Sequence, residues 1–206
     1  MPRRTKPQVP MPSPQDLAEA KKVFEAHEPR DLFYRAAMEL VALSREGKTS
    51  LTVAEALAVL LQTWNKAFYR HKRFDEQHFK DIEQLIKNHF SVLISYNERS
   101  IESFGQADEQ EVVRLFMDFE SVLGPVGAAK CLHLLAPKFF PLWDRAIANA
   151  YGLPLQPKGG NAERYCCFMR IVKKQVEHLG GEKGIGRNPL KAIDEYNYCK
   201  YTKKWM

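Results

Sequence analysis

The sequence predicts an all-α fold, a two-lobed helical domain carrying a helix-hairpin-helix motif, and three observations carry the all-α part. Apolar residues recur at three- and four-residue intervals almost without interruption from residue 14 onward. No segment alternates apolar and polar residues for more than a few positions, and no internal repeat is present. Pro/Gly-rich stretches at 137–141, 153–160 and 180–186 fall between the periodic segments.

Taken in order, residues 1–13 contain Pro2, Pro7, Pro10 and Pro12 among basic and polar residues and read as a flexible arm preceding a single helical domain over 14–206. A first helix over about 14–27 places Leu17, Ala20, Val23 and Phe24 on one face. A second, about 30–45, carries Leu32, Phe33, Ala36, Leu40 and Leu43 at helical spacing. The third opens with the capping-box pattern Thr52-Val53-Ala54-Glu55 and runs through Leu57, Leu60, Leu61, Trp64 and Phe68 to about residue 70. The fourth spans about 76–96, with Phe79, Ile82, Leu85, Ile86 and Phe90 expected inward. The fifth opens at Asp108 and Glu111 and carries Val112, Leu115, Phe116, Phe119 and Val122 to the interruption Leu123-Gly124-Pro125-Val126-Gly127, after which a helix resumes over 128–135. Further helices are expected from near Trp143 to Tyr151-Gly152, over about 162–179 and over about 189–201, with a mobile glycine loop at 180–186 before the last.

A chain of 206 residues is long enough to bury a core without metals or disulfides. Its formal charge of +6 favours a polyanionic partner. Cys131, Cys166, Cys167 and Cys199 stand in no CxxC or CxxH spacing, which argues against a zinc site or iron–sulfur cluster, so no metal or other cofactor is expected; reduced thiols of a cytoplasmic protein are the simplest reading. No apolar run approaches the roughly 18 residues of a membrane span, and the charged, Pro-rich beginning does not read as a secretory signal.

The segment that carries chemistry is 123–152. Two helices joined by a tight Gly-x-x-Gly turn aim backbone N–H groups outward at the positive end of the second helix, which suits a phosphate oxygen. Gly124, Val126 and Gly127 are the expected phosphate contacts, with Pro125 stiffening the turn. Asp144 follows seventeen positions after Gly127, in Pro141-Leu142-Trp143-Asp144 at the head of a helix, where it also reads as an ordinary N-cap.

Leu123-Gly-Pro-Val-Gly127, one helix, and then Pro141-Leu-Trp-Asp144 resemble the helix-hairpin-helix DNA glycosylases, whose hairpin has the form Leu-Pro-Gly-Val-Gly; here the central Gly and Pro are interchanged. The resemblance covers about 113–152 and implies a hairpin over about 112–136. It implies a catalytic role for Asp144, whose carboxylate would stabilise an oxocarbenium-like sugar as the base departs. The family's Schiff-base lysine stands two positions after the last hairpin Gly. That position is Ala129 here, with Lys130 next, so either the chain is monofunctional or its hairpin differs by one residue and Lys130 fills the role. His133, three residues on, shares a face with Lys130, where it would join the base pocket, or packs in the core.

Gln62, Trp64, Asn65 and Tyr69 combine stacking rings with paired donors and acceptors, a composition suited to holding a flipped base; core packing is the alternative for the rings. Trp143 would line the same pocket, wedge into DNA, or be buried. Arg70, Lys72 and Arg73 form a basic patch for DNA phosphates; Lys183, Arg187 and Lys191, and the interleaved tail Lys200-Tyr-Thr-Lys-Lys-Trp205, offer further cations. The implied function is a monomeric glycosylase that removes a damaged or modified base from double-stranded DNA, in repair or against foreign DNA. A non-catalytic helix-hairpin-helix module binding DNA or RNA is the alternative, and a helical scaffold with incidental charge is a third.

Overall fold

The computed structural model describes residues 9–157 and 159–206, and among them the chain is helical with no strand. The α-helices are α1 (Pro14–His27), α2 (Leu32–Arg45), α3 (Val53–Trp64), α4 (Lys66–Tyr69), α5 (Glu76–Asn97), α6 (Glu109–Leu135), α7 (Arg145–Ala150), α8 (Ala162–His178), α9 (Gly181–Ile185) and α10 (Pro189–Asn197). Short 3₁₀ turns link α5 to α6, and a π-helical turn, Tyr198–Lys203, follows α10. Helix α6 is central: α5 and α8 flank it, and α2 and α3 also touch it, while α1 lies along α10. One continuous apolar cluster runs through all of these helices, from Leu17 to Tyr196.

Local signals explain several boundaries. Ser13 accepts from the Asp16 amide at 3.1 Å while the Asp16 carboxylate takes the Ser13 amide at 2.7 Å, and Pro14 sits at the first helical position. The Thr52/Glu55 box forms as the sequence predicts, with bonds of 2.7 and 3.2 Å. Of the expected flexible arm, residues 1–8 lie outside the described residues. Pro10–Ser13 belongs to the folded body: Pro12 is buried, and the Gln175 side chain donates to the Pro10 carbonyl at 2.6 Å.

Four expectations need correction. In α2, Leu32 and Phe33 are 60% and 68% exposed, and the buried stripe is Ala37 and Val41. Residues 32–43 are so uniformly apolar that more than one stripe fits the helical period, and packing against α3 and α6 selects the smaller side chains. Phe90, expected inward, is exposed on α5 for the same reason, the neighbouring Leu93 and Ile86 filling the interface. The third helix is not continuous to residue 70 but breaks at Asn65 (φ −113°, ψ 34°), giving α3 and α4. The 180–186 glycine segment forms α9 between two left-handed glycines, Gly180 and Gly186, and Lys138 clamps it through Glu182 at 3.0 Å.

Candidate functional site

The interruption of α6 is a single residue. Gly124 has φ 69° and ψ 168°, and the chain is helical on both sides of it. Pro125 carries no N–H, so the bond it would make to the Ser121 carbonyl four residues back is missing and the ladder is interrupted here. At the same turn the buried Asn65 side chain donates to the Leu123 carbonyl at 3.1 Å. The two glycines make this possible. A Cβ on Gly127 would stand 2.5 Å from Asn65 Nδ2, and one on Gly124 would stand 2.9 Å from the Phe68 ring. In this structure they therefore admit α4 and the α3–α4 break against the turn, a packing role beyond the phosphate approach that the sequence suggests. Gly127 itself is buried, whereas Gly124 and Val126 keep partial exposure.

A cleft of about 460 Å³ opens beside this turn. Trp64, Asn65, Phe68, Leu123–Gly127, Lys130, Asp144, Arg145, Leu155 and Thr202 are among its walls. Sequence-distant segments thus meet: the end of α3, the α6 interruption, the head of α7 and the C-terminal turn. Next to Leu155, Gln156 is tied to Asn161 through its amide and carbonyl (2.7 and 3.0 Å), and the Asn161 amide donates to the buried Glu120 carboxylate at 3.1 Å.

Asp144 is the N-cap of α7. One carboxylate oxygen accepts from the Ile147 amide at 2.9 Å, and the other accepts from the Thr202 hydroxyl at 2.8 Å. Lys130 faces the same cleft, one turn into the helix after Pro125. Its Nζ donates to the Trp64 carbonyl and lies 5.3 Å from the Trp64 ring centroid. Burial lowers the Lys130 pKa, against a partial pull upward from Asp144 and Asp194. Asp194 on α10, which the sequence reading did not single out, is the second carboxylate in this field. Burial pushes it up to about 7, with Lys191 opposing and Asp144, Glu195 and Asp31 adding to the rise.

Four expected pocket residues lie elsewhere. His133 is fully buried, its Nδ1 against the Phe140 carbonyl at 2.7 Å and its Nε2 against the Tyr34 hydroxyl at 3.0 Å. Trp143 is 1% exposed, packed among Phe116, Tyr165 and Phe168, so it neither lines the cleft nor wedges into DNA from this position. The Tyr69 hydroxyl is engaged with His78 Nε2 at 3.1 Å, and its ring packs on Phe68 and Phe74. Gln62 is exposed on α3, outside the cleft. Asn65 does line the cleft, but its amide nitrogen is committed to Leu123. Arg70, Lys72 and Arg73 are solvent-exposed beyond α4 and are not cleft walls. Two of the additional cations are tied into ion pairs, Arg187 with Glu195 at 2.6 Å and Lys191 with Asp31 at 2.8 Å. Phe68, Arg145, Leu155 and Thr202 were missed. Phe68 alone had a signal, four residues from Trp64 on the helical period; Thr202 is 58 residues from the carboxylate it binds.

The buried histidine and Asp194 make opposing contributions to acid stability. Burial depresses the His133 pKa to about 4, so between there and the ordinary value near 6.5 the unfolded chain binds the extra proton. Stability from His133 is complete above that window and falls as pH drops through it, by up to about 3 kcal/mol. Asp194, raised, holds its proton in the folded state while the unfolded carboxyl has ionised, so its contribution is lost as pH rises from about 4 to about 7. Asp194→Asn removes the compensation. Its urea midpoint is expected to fall more than that of the unaltered chain on going from pH 7 to pH 5, which paired denaturation curves check.

Comparison with protein-family models, with curated proteins and with solved structures finds no match to this chain. Among the described residues, no helix is long and apolar enough to cross a membrane, and no group of three or more His, Cys, Asp or Glu side chains is arranged to hold a metal ion.

Proposed function

We propose that this chain is a DNA N-glycosylase that draws a damaged or modified nucleotide out of double-stranded DNA and cleaves its N-glycosidic bond. The observation that carries the reading is convergence: the Gly124–Gly127 interruption and Asp144, which carry the sequence resemblance, share one cleft of about 460 Å³ with Lys130, the residue next to the family's lysine position. That volume is within the range of small-molecule sites and admits a nucleobase. The half-buried Trp64 ring and Phe68 give the extruded base a face to stack on.

In the proposed reaction the C1′–N bond breaks with its electron pair leaving on the base. The Asp144 carboxylate stabilises the cation that develops on the sugar. Water completes the substitution at C1′, its proton passing to Asp144. The desolvated Lys130 amine supplies the alternative nucleophile: its nitrogen bonds to C1′ as the base leaves with the C1′–N electron pair, the displaced amine proton passes to the base or to Asp144, and breaking of the C1′–O4′ bond with protonation of O4′ opens the sugar and gives an iminium. Basic groups beyond α4, Arg70, Lys72 and Arg73, would take phosphates of the flanking duplex. The protein would act as a monomer.

One observation favours the non-catalytic binding module instead: both Asp144 oxygens already have hydrogen-bond donors, as a purely structural cap would. The test is incubation with duplexes that each carry one modified base, followed by strand cleavage with and without alkali. Alkali-dependent breaks at the modified site support base excision, whereas intact strands across a broad panel favour the module. If breaks appear without alkali, borohydride is expected to trap a covalent protein–DNA adduct, and Lys130→Met is expected to lose all trapping; trapping that persists assigns the amine elsewhere.

A further inference from the structure

We infer that Thr202 is a positioning residue for Asp144, which makes the C-terminal turn part of the reaction centre. The inference rests on the glycosylase reading above. An N-cap needs one carboxylate oxygen, and Asp144 spends one on the Ile147 amide. The other is held by the hydroxyl of Thr202, 58 residues further along the chain, at 2.8 Å, and Thr202 is itself a wall of the cleft. With one donor the carboxylate is free to turn about its Cβ–Cγ bond. With two, its plane is fixed, and so is the direction in which its charge faces the sugar.

The backbone that delivers Thr202 is irregular. Tyr198–Lys203 widens into a π-helical turn, a form most often met as a single turn at functional sites, and Lys204 is left-handed at φ 57° without being glycine. Surrounding contacts hold this geometry in place. The Trp205 amide donates to the Cys199 carbonyl at 2.8 Å, and the Trp205 ring stacks on His27 of α1 at 4.0 Å between centroids. A regular helix through 198–203 would rotate position 202 away from its present bearing on α7, since each added residue per turn shifts every later side chain around the axis. The irregular turn, its lock on α1 and the hydroxyl on Asp144 therefore belong together.

The test uses the full chain and two synthetic duplexes that need no knowledge of the excised base: one with a cationic pyrrolidine in place of a deoxyribose, mimicking the oxocarbenium ion, and one with the neutral tetrahydrofuran equivalent. The unaltered protein is expected to prefer the cationic duplex, and Asp144→Asn to lose the preference. Thr202→Val, which removes only the donor, is expected to reduce the preference by about ten- to a hundredfold, and Thr202→Ser to retain it. The thermal midpoint should stay unchanged in both Thr202 variants, which separates positioning from loss of fold. A full preference in Thr202→Val overturns the positioning role and leaves the glycosylase reading standing. Absence of any preference in the unaltered protein overturns both, and is recognised by that comparison alone.

Discussion

Asp144→Asn is expected to slow base release by a factor on the order of 10² to 10³ while leaving duplex affinity and folding nearly unchanged. The separation follows from the geometry. Asparagine caps helices as well as aspartate, so the bond to the Ile147 amide survives, and the Thr202 hydroxyl can accept from the new amide as readily as it donated to the old carboxylate. What is lost is the negative charge that, in the proposed reaction, would face the sugar. Single-turnover rates, anisotropy titrations and urea curves on the same preparation check the three parts. A variant that binds normally but is equally fast removes Asp144 from the chemistry. One that fails to fold shows that the head of α7 tolerates no change at this position.

The second large effect is on stability. Trp143→Ala is expected to cost about 3–5 kcal/mol, because the indole is enclosed by Phe116 (centroids 6.1 Å apart), Tyr165 (5.6 Å) and Phe168 (5.9 Å). The same side chain has a cost of its own: its Nε1–H is buried with no acceptor among the described residues. Trp143→Phe should therefore be much milder than the alanine variant, keeping most of the apolar contact and removing the orphaned donor. Chemical denaturation distinguishes the two readily. Comparable losses for both would mean that shape at this position matters more than area. The neighbour of the proposed catalytic carboxylate is in this sense the anchor of its helix: Trp143 is fixed in the core, so Asp144 emerges at a defined place on the cleft wall.

The all-α architecture was legible because helical periodicity, capping boxes and Pro/Gly breaks are all local. Thr52 and Glu55, or Ser13 ahead of Pro14, act within one turn, and the helices they begin are where their residues indicate. The same locality explains the failures. Leu32, Phe33 and Phe90 satisfy the helical period as well as the residues that are buried, and only the partner helices choose among them. At the candidate site, Gly124, Gly127, Lys130 and Asp144 were visible as a spaced pattern. Their shared cleft depends on Asn65 reaching the Leu123 carbonyl and on Thr202 reaching Asp144, across 58 residues in each case. Trp143, His133 and Tyr69 looked like pocket residues because their chemistry suits a base, yet the core had already engaged their rings. Residue type alone cannot distinguish an aromatic that packs from one that waits for a ligand. Asn65 shows the same limit for polar groups, its amide being taken by the Leu123 carbonyl at the α6 interruption.

The most direct measurement is mass spectrometry of the small-molecule fraction after the protein has been incubated with duplexes that each carry one modified base. Base excision releases free base in equal amount to the abasic sites formed in the DNA, and Asp144→Asn is expected to release on the order of a hundredfold less or lower in the same time. Duplexes bound in a salt-sensitive manner but recovered chemically intact across the panel would contradict it, and would leave the cleft beside Gly124 as a place where DNA is held rather than cut.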